Sequence, residues 1–278
     1  MSEIFHPRNP EYQRRIAMVI EYDGSQYYGW QIQKDGVASV QQTLTDAISK
    51  VANHPVQLFC AGRTDTGVHA SRQVIHFDTN AVRKDYGWTV GTNTHLPASV
   101  SVQWAKEMDH SFHARFSALE RRYRYVIYSN PIAPGLLRKH MTWHRWPLDA
   151  SLMHEAAQAM IGTHDFSTFR ASNCQAASPV RTVKAITVQQ SGKMIVIDIT
   201  ADGFLYHMVR NLAGALMEIG QGKQPVTWID TLLSYQNRNR GAVTALANGL
   251  YFVDAIYDAK FEVPQTYLGP HFLMHLQE

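Results

Sequence analysis

Short apolar runs in which every second residue is hydrophobic recur along this chain of 278 residues, and they restrict it to folds that contain a β-sheet. In residues 15–22 (RIAMVIEY) the side chains of Ile16, Met18 and Ile20 fall on one face, as expected for a strand with one buried face. Similar runs predict further strands, at residues 56–61, 73–78, 99–106, 120–128, 183–189, 194–200 and 249–257.

Apolar residues at helical spacing lie between these strands. Ser39 followed by Gln42 forms a capping-box pattern, and an apolar stripe follows it. Asp149 is a candidate N-cap for another helix, which we expect to end at Gly162. The mixture of strands and helices predicts an α+β protein, with a boundary between two halves near the polar segment 109–118. Further helices are predicted at residues 81–97, 206–219 and 225–236.

The composition is that of a globular protein with a mildly basic charge. Hydrophobic residues make up 45% of the chain, and the net charge of +3 allows nucleic acid as a partner without requiring it. Arginine outnumbers lysine by 17 to 9, and the planar guanidinium suits phosphate and base edges. The N-terminal segment has no signal-peptide core, and no run of about eighteen apolar residues occurs. We therefore expect a cytoplasmic protein with no membrane partner.

The residue types that most often form disulfides or bind metals do not form a recognisable site in the sequence. Cys60 and Cys174 lie in or beside apolar segments, so we expect buried, reduced thiols. Two pairs of histidines have ligand-like spacing but no third ligand to complete a zinc geometry, His110 with His113 and His140 with His144. We therefore predict no metal site.

The stretch LFCAGRTDTGVHA, at residues 58–70, is the most informative local pattern in the chain. A short apolar run stops abruptly at Gly62, so a strand is expected to deliver Arg63 and Asp65 onto a loop that ends at Gly67. Loops in such positions commonly carry the functional residues of a protein. The simpler alternative is a polar turn in which Asp65 caps its own backbone, and the local pattern leaves both interpretations open.

Residues 120–128 (ERRYRYVIY) interleave arginines with tyrosines on one predicted strand. Alternation places Arg121 and Tyr123 on one face and Arg122 and Arg124 on the other. Guanidinium groups bind phosphate and tyrosine rings stack on bases, so we predict a nucleic-acid surface with Arg122 and Arg124 among the substrate-binding residues. The alternative is a charged face that contacts only solvent, which leaves the tyrosines unexplained.

Two other patterns have more than one interpretation. The aromatic loop at residues 25–33 (SQYYGWQIQ) either stacks on bases or covers the core. In the helix predicted at residues 206–219, Arg210 lies off the apolar stripe. Asn211 and Gly214 flank that stripe, which leaves room for close contact with a polar group.

Seven longer motifs are distributed over nearly the whole chain. They are YDGSQYYGWQ (22–31), CAGRTDTGVHA (60–70), FHARFSA (112–118), RRYRYVIY (121–128), SPVRT (178–182), MVRNLAGALMEIG (208–220) and GLYFV (249–253). Together they resemble the tRNA pseudouridine synthase A (TruA) family over residues 15 to 269. The resemblance implies the pseudouridine synthase fold, in which two α/β lobes with antiparallel sheets join into one central sheet with the active-site cleft between the lobes. The expected lobes are residues 14–110 and 111–265, followed by a C-terminal tail at 266–278.

The resemblance also implies an activity and the residues that perform it. The activity is isomerisation of uridine to pseudouridine in the anticodon stem-loop of tRNA, at positions 38, 39 and 40. Asp65 is implied as nucleophile or general base, and Arg210 as the cation that holds it ionised. Tyr123 is implied to stack on the target base and relay the last proton, and Leu250 to form an apolar seat beneath the ring. Arg63 is implied to enter the gap left by the flipped nucleotide.

Isomerisation transfers no group and changes no oxidation state, so no cofactor is expected, including no nucleotide cofactor. The partners implied are tRNA and a second copy of the chain in a homodimer. Two other functions stay open at this point, a uracil-releasing RNA glycosidase and a non-catalytic tRNA-binding or chaperone module. A glycosidase usually needs a second carboxylate to activate water. Glu21 and Asp23 are candidates for that carboxylate, although both are interpreted more simply as strand-end residues.

Overall fold

One mixed sheet extends through both halves of the chain in the computed structural model, which describes residues 11–33, 36–265 and 269–276. Its strands are β1 (Arg14–Tyr22), β2 (Phe59–Cys60), β3 (His69–Thr79), β4 (Val100–Met108), β5 (Ala118–Ser129), β6 (Thr142–His144), β7 (Gly162–Asp165), β8 (Val180–Ser191), β9 (Met194–Ala201) and β10 (Leu250–Tyr257). Eight of them lie side by side in the order β4-β1-β3-β10-β5-β9-β8-β7, while β2 pairs with β3 and β6 with β5. The predicted α+β class and the single central sheet are therefore confirmed.

Five α-helices accompany the sheet within the described residues, α1 (Val40–Ala52), α2 (Asp85–Asn93), α3 (Ala150–Ala157), α4 (Met208–Gly220) and α5 (Trp228–Tyr235). Both predicted N-caps are present. The Ser39 hydroxyl accepts from the backbone N–H of Gln42, and Asp149 accepts from the first turn of α3. None of the helices in the described ranges is long and apolar enough to cross a membrane.

The last strand, β10, joins the two halves of the sheet. It pairs antiparallel with β5 and parallel with β3, where Tyr251 lies opposite His69 and Phe252 opposite Ala70. The other pairs are antiparallel except β5 with β6. Strands β1–β4 belong to the predicted lobe 14–110 and β5–β10 to the predicted lobe 111–265. That division stays a prediction, and the predicted tail at 266–278 lies partly outside the described residues.

Several boundaries differ from those predicted. The strand expected at 56–61 is reduced to Phe59–Cys60, because only these two residues have ladder partners on β3, although Val56 and Leu58 are buried. The helix expected to reach Gly162 is α-helical only to Ala157 and continues as a 3₁₀ turn. Strands β6 and β7 were not predicted, because three or four residues are too few to establish a period. Both cysteines are free thiols, but they are half-buried and not fully buried.

Candidate active site

The loop that follows β2 is fixed by the aromatic loop that follows β1. The backbone N–H of Trp30 donates to the carbonyl of Thr64 over 2.9 Å, and the hydroxyls of Tyr22 and Thr64 are 2.8 Å apart. Gly29 has a φ of +87°, and a Cβ added there would lie 2.8 Å from the Thr64 carbonyl oxygen. Any side chain at this position would therefore push against the residue that precedes Asp65.

The structure decides between the two interpretations of the aromatic loop for most of its rings. Tyr27 and Trp30 are buried, and Tyr28 is exposed. The buried rings cover the core, while the backbone of the same segment holds the Asp65 loop. The motif at residues 22–31 therefore supports the site through its backbone, and the Trp30 ring also borders the cleft beside Asp65.

Asp65 faces an arginine and a histidine from a distant part of the chain. The Arg210 guanidinium (Nη1) lies 3.3 Å from Asp65 Oδ2, and His207 Nε2 lies 3.5 Å from the same oxygen. Arg210 is itself oriented, because its Nε donates to the Ala245 carbonyl over 2.8 Å. The partners of the Asp65 side chain thus come from the start of α4, and the interpretation of Asp65 as a residue that only caps its own turn is not needed.

Burial is the largest influence on the protonation of this carboxyl. Loss of solvent raises the pKa of Asp65 above its ordinary value, while Arg210, and His207 when it is protonated, act in the opposite direction. His207 was not predicted as a site residue. The signal was available, because His207 precedes Arg210 by three residues, a spacing at which side chains at the start of a helix share a face.

Asp65 opens into a cleft of about 800 Å³ whose walls come from both halves of the chain. Tyr123 and Leu250, two of the residues that the family resemblance implies for the site, line it. Tyr123 is held edge-on between Phe204 and Phe252, with ring centroids 4.9 and 5.1 Å away. Leu250 begins β10 and is buried. Burial raises the pKa of the Tyr123 phenol well above its ordinary value.

Arginines dominate the charge of the cleft. Those that line it within the described ranges are Arg63, Arg115, Arg121 and Arg181. Arg63 is exposed, and the described residues provide its guanidinium with no hydrogen bond or ion pair. Arg121 has a different role, since it donates to the carbonyls of Ala118 and Asp202 over 2.9 and 3.0 Å and also to that of Arg115. Arg121 therefore ties the loops around the cleft together.

Arg122 and Arg124, predicted as substrate-binding residues, lie on the opposite face of β5 from Tyr123 and outside the cleft lining. Both bind Asp198 on the neighbouring strand β9. Arg122 Nε lies 2.7 Å and Arg124 Nε 2.8 Å from the Asp198 carboxylate. Alternation along a strand explains the placement, because a strand that points Tyr123 into the cleft must point both neighbours away. We assign neither arginine a substrate contact.

One group of described side chains has the composition of a metal site, Asp23 with His69 and His140. Sequence spacing did not reveal it, because its members are far apart in the chain. Each of these side chains already has protein partners. His69 Nε2 pairs with the Lys139 carbonyl, and Asp23 accepts from the Ser25 backbone N–H. The Asp23 carboxylate also lies 3.3 Å from His140 Nε2. These contacts explain the cluster without an ion.

The family profile and the related proteins that match this chain indicate the same family. The profile of the family described as tRNA pseudouridine synthase matches residues 18–117 and 156–258. The tRNA pseudouridine synthase A of Shewanella sp. (strain MR-4) is 53% identical over 260 residues, which cover 94% of this chain and 99% of that protein. The protein of the same name from Pseudomonas aeruginosa is 53% identical over 264 residues, covering 95% and 93% of the two chains.

Similarity to solved structures is weaker. A chain of a Cbf5-Nop10-Gar1 complex aligns with 88% of this chain and 59% of its own length, at 9% identity and a TM-score of 0.33. A structural similarity with so low a TM-score and sequence identity does not identify the family. The family profile covers well over half of the chain, and the relatives match it nearly from end to end. The chain therefore belongs to the tRNA pseudouridine synthase family, whose members are isomerases that convert uridine in tRNA to pseudouridine.

Proposed function

We propose that this family member isomerises uridine to pseudouridine in the anticodon stem-loop of tRNA, at positions 38, 39 and 40, with Asp65 as the reacting carboxylate. The observation that carries the proposal is the pairing of Asp65 with Arg210 in a cleft lined by four arginines. A carboxylate in a mostly cationic cleft suits a substrate that is a polyanion with one electrophilic sugar carbon. The names of the relatives support tRNA as that polyanion.

The reaction breaks the C1′–N1 bond of uridine, turns the freed uracil and joins it to C1′ through C5. Asp65 must be ionised to act, either as a nucleophile or as a base that removes a proton from the sugar. Its burial opposes ionisation, and the nearby guanidinium of Arg210 favours it. Arg210 therefore maintains the reactive form of Asp65 in a partly buried position.

The walls of the cleft account for the handling of the base. A uridine in a helical stem must leave the stack before its sugar can be reached. Tyr123 and Leu250 offer an aromatic ring and an apolar side chain to the flipped base. Arg63, which is exposed beside Asp65, is free to occupy the space that the base leaves. These roles for Tyr123, Leu250 and Arg63 are part of the proposal.

The RNA partner, the cellular compartment and the oligomeric state are proposed on the basis of the same family assignment. Arg115 and Arg181, on the rim of the cleft, are suited to contact tRNA phosphates. We also propose that the protein acts in the cytoplasm as a homodimer, a proposal supported by family resemblance. Light scattering of the purified protein tests the homodimer, and a monomer at the concentrations used in activity assays would contradict it.

Asp65→Asn tests the central assignment. The amide keeps the size of the side chain but loses the charge, the nucleophilicity and the basicity, so pseudouridine formation should fall on the order of a million-fold. Affinity for tRNA should be kept or slightly raised, because one anion is removed from a site that binds a polyanion. The folded protein should be at least as stable at pH 7. The folded-state pKa of Asp65 is raised, so its ionisation above the ordinary carboxyl pKa opposes folding.

The assay is a carbodiimide primer-extension map of tRNA treated with parent or variant, combined with the mass of the RNA. Isomerisation leaves that mass unchanged, whereas a uracil-releasing glycosidase produces free uracil and an abasic site. Binding without any modified position identifies a non-catalytic tRNA-binding module. Turnover of Asp65→Asn within about a hundredfold of the parent corresponds to less than roughly 3 kcal/mol of lost barrier reduction, too little for an essential nucleophile or base.

A further inference from the structure

His207 is placed to act on Asp65 and not to cap the helix that it precedes. It is the residue before α4 and has a left-handed backbone conformation, with a φ of +62°. N-cap residues normally have extended backbones and bind the first turn through a side-chain oxygen, and His207 does neither. Its imidazole lines the cleft instead, with Nε2 3.5 Å from Asp65 Oδ2.

The groups around His207 hold the ring in place and set its charge. Tyr206 stacks on it with centroids 4.0 Å apart, and the charged groups that face it are Asp65, Arg210 and Arg238. Burial and the two arginine charges lower the pKa of His207 below its ordinary 6.5, while Asp65 acts in the opposite direction. The ring is therefore neutral at pH 7 and able to accept a proton. Burial lowers the pKa of His207 and raises that of Asp65, so the two pKa values move toward each other.

The isomerisation contains a step that needs a proton acceptor. Once C5 of uracil has bonded to C1′, C5 still carries its hydrogen. That proton must leave so that the C–H electron pair can form the C5=C6 bond, while the C6=N1 π pair becomes a lone pair on N1 and takes up a proton. Protons and electrons balance over the step, and no other reactant is required beyond water.

Tyr123 is poorly suited to this step. A phenol accepts a proton only as phenolate, and the burial of Tyr123 raises its pKa and makes the phenolate scarce at neutral pH. We propose that His207 is the proton-accepting partner of Asp65, which receives through the Asp65 carboxylate the proton that leaves C5. The imidazolium then loses its proton to water as N1 gains one. This inference rests on the proposed isomerisation.

His207→Gln tests the inference, because glutamine keeps a hydrogen-bonding amide near Asp65 but cannot take up a proton at neutral pH. The matched control is His140→Gln, which also removes an imidazole beside a carboxylate, Asp23 at 3.3 Å, but away from the cleft lining. The two side chains are similarly exposed, 24% for His207 and 33% for His140. Both variants and the parent are assayed on tRNA transcripts that carry hydrogen or deuterium at C5 of uridine.

The expected result for His207→Gln is a fall in kcat of about a hundredfold or more, with little change in KM or in tRNA affinity. Removal of the C5 proton then limits the rate, so the deuterium isotope effect on kcat should be larger in His207→Gln than in the parent. His140→Gln should match the parent in kcat and in the deuterium isotope effect. A parent that makes no pseudouridine refutes the proposed function, whereas an active parent with a His207→Gln variant of equal rate and isotope effect refutes the role of His207 alone.

The pH dependence of the parent can contradict the proposal without a variant, whereas support comes from the difference between the parent and His207→Gln, because protonation of Asp65 also lowers kcat. As pH falls through the lowered pKa of His207, the neutral imidazole is lost and kcat should fall with it. A flat kcat from pH 7 down to the ordinary carboxyl range contradicts the proposal. If His207→Gln does not fold, His207→Asn replaces it, because asparagine tolerates positive φ, and the isotope comparison is then made with that variant.

Discussion

Asp198→Asn removes the centre of the ionic cluster behind the cleft, formed by Asp198 with Arg122 and Arg124, and should lower the stability of the fold measurably. Asp198 accepts from Arg122 through Nε and Nη2, over 2.7 and 2.8 Å, and from Arg124 through Nε, over 2.8 Å. Asparagine has almost the same shape but carries no charge, and only its amide oxygen can accept. The substitution therefore removes one charge and most of the charge-assisted hydrogen bonds without creating a cavity.

The burial of the three side chains determines how much stability Asp198→Asn should cost. The side chains of Asp198 and Arg124 are 14% and 7% exposed, whereas that of Arg122 is 32% exposed. Removing one partner of a buried ion pair costs about 3–5 kcal/mol, because the other charge is left in a poorly solvated position. Water can solvate Arg122 in part, and Arg124 keeps the Gly269 carbonyl as an acceptor, so we expect the lower end of that range, about 3 kcal/mol.

Urea unfolding followed by circular dichroism measures the change in the free energy of unfolding. The control is Glu107→Gln, which breaks the partly exposed pair of Glu107 with Arg14 and should cost less than about 1 kcal/mol. The slope of free energy against urea should be the same in the parent and both variants, so that the midpoint alone reports stability. A loss for Asp198→Asn no larger than that for Glu107→Gln would show that water solvates the charges of the cluster.

Two further predictions concern RNA binding and the tyrosine in the cleft. Arg122→Ala combined with Arg124→Ala should destabilise the fold but leave the slope of log affinity against log salt unchanged. Arg63→Ala combined with Arg181→Ala should flatten that slope by about 0.7 to 0.9 for each phosphate that is no longer neutralised, and a reversed pattern would contradict the assignment of the two faces of β5. Tyr123→Phe should keep tRNA affinity and stay within about tenfold of the parent rate, because the hydroxyl is not the proton acceptor. A rate reduced by about a hundredfold or more in single-turnover assays would indicate that the Tyr123 hydroxyl takes part in the proton transfer.

Local patterns predicted the elements of this fold where a period or a cap identifies them. The alternation in residues 15–22 corresponds to β1, and Ser39 and Asp149 cap α1 and α3 as expected. Patterns predicted the elements less well where residues are buried but do not pair with a neighbouring strand. Val56 and Leu58 are buried but unpaired, so the residues before Phe59 are not a strand. Hydrophobic alternation reports which side chains are buried, whereas hydrogen bonding to a neighbour decides whether they form a strand.

The prediction for Arg122 and Arg124 shows how a correct local rule can be misapplied to a site. Alternation already separated these two arginines from Arg121 and Tyr123, yet the prediction placed Tyr123 and both arginines in one substrate site. What the sequence could not supply was the partner. Asp198 lies more than seventy residues further along the chain and meets both arginines only because β9 pairs with β5. Because both arginines are paired with the Asp198 carboxylate, we interpret them as part of the fold and not as ligands for phosphate.

The active site depends on a similar long-range contact, and the sheet explains how it forms. Asp65 and Arg210 are 145 positions apart, and neither local pattern identifies the other. The parallel contact of β10 with β3 involves only two residue pairs, and it begins at His69, directly after the Asp65 loop. Leu250 is the residue before this contact on β10, so the register that joins the two halves also sets Leu250 beside the Asp65 loop. A shift of β10 by one residue would turn Leu250 away from the cleft and move the wall that carries Tyr123, because β5 is paired to β10. The junction of the two halves and the geometry of the site are therefore one structural feature.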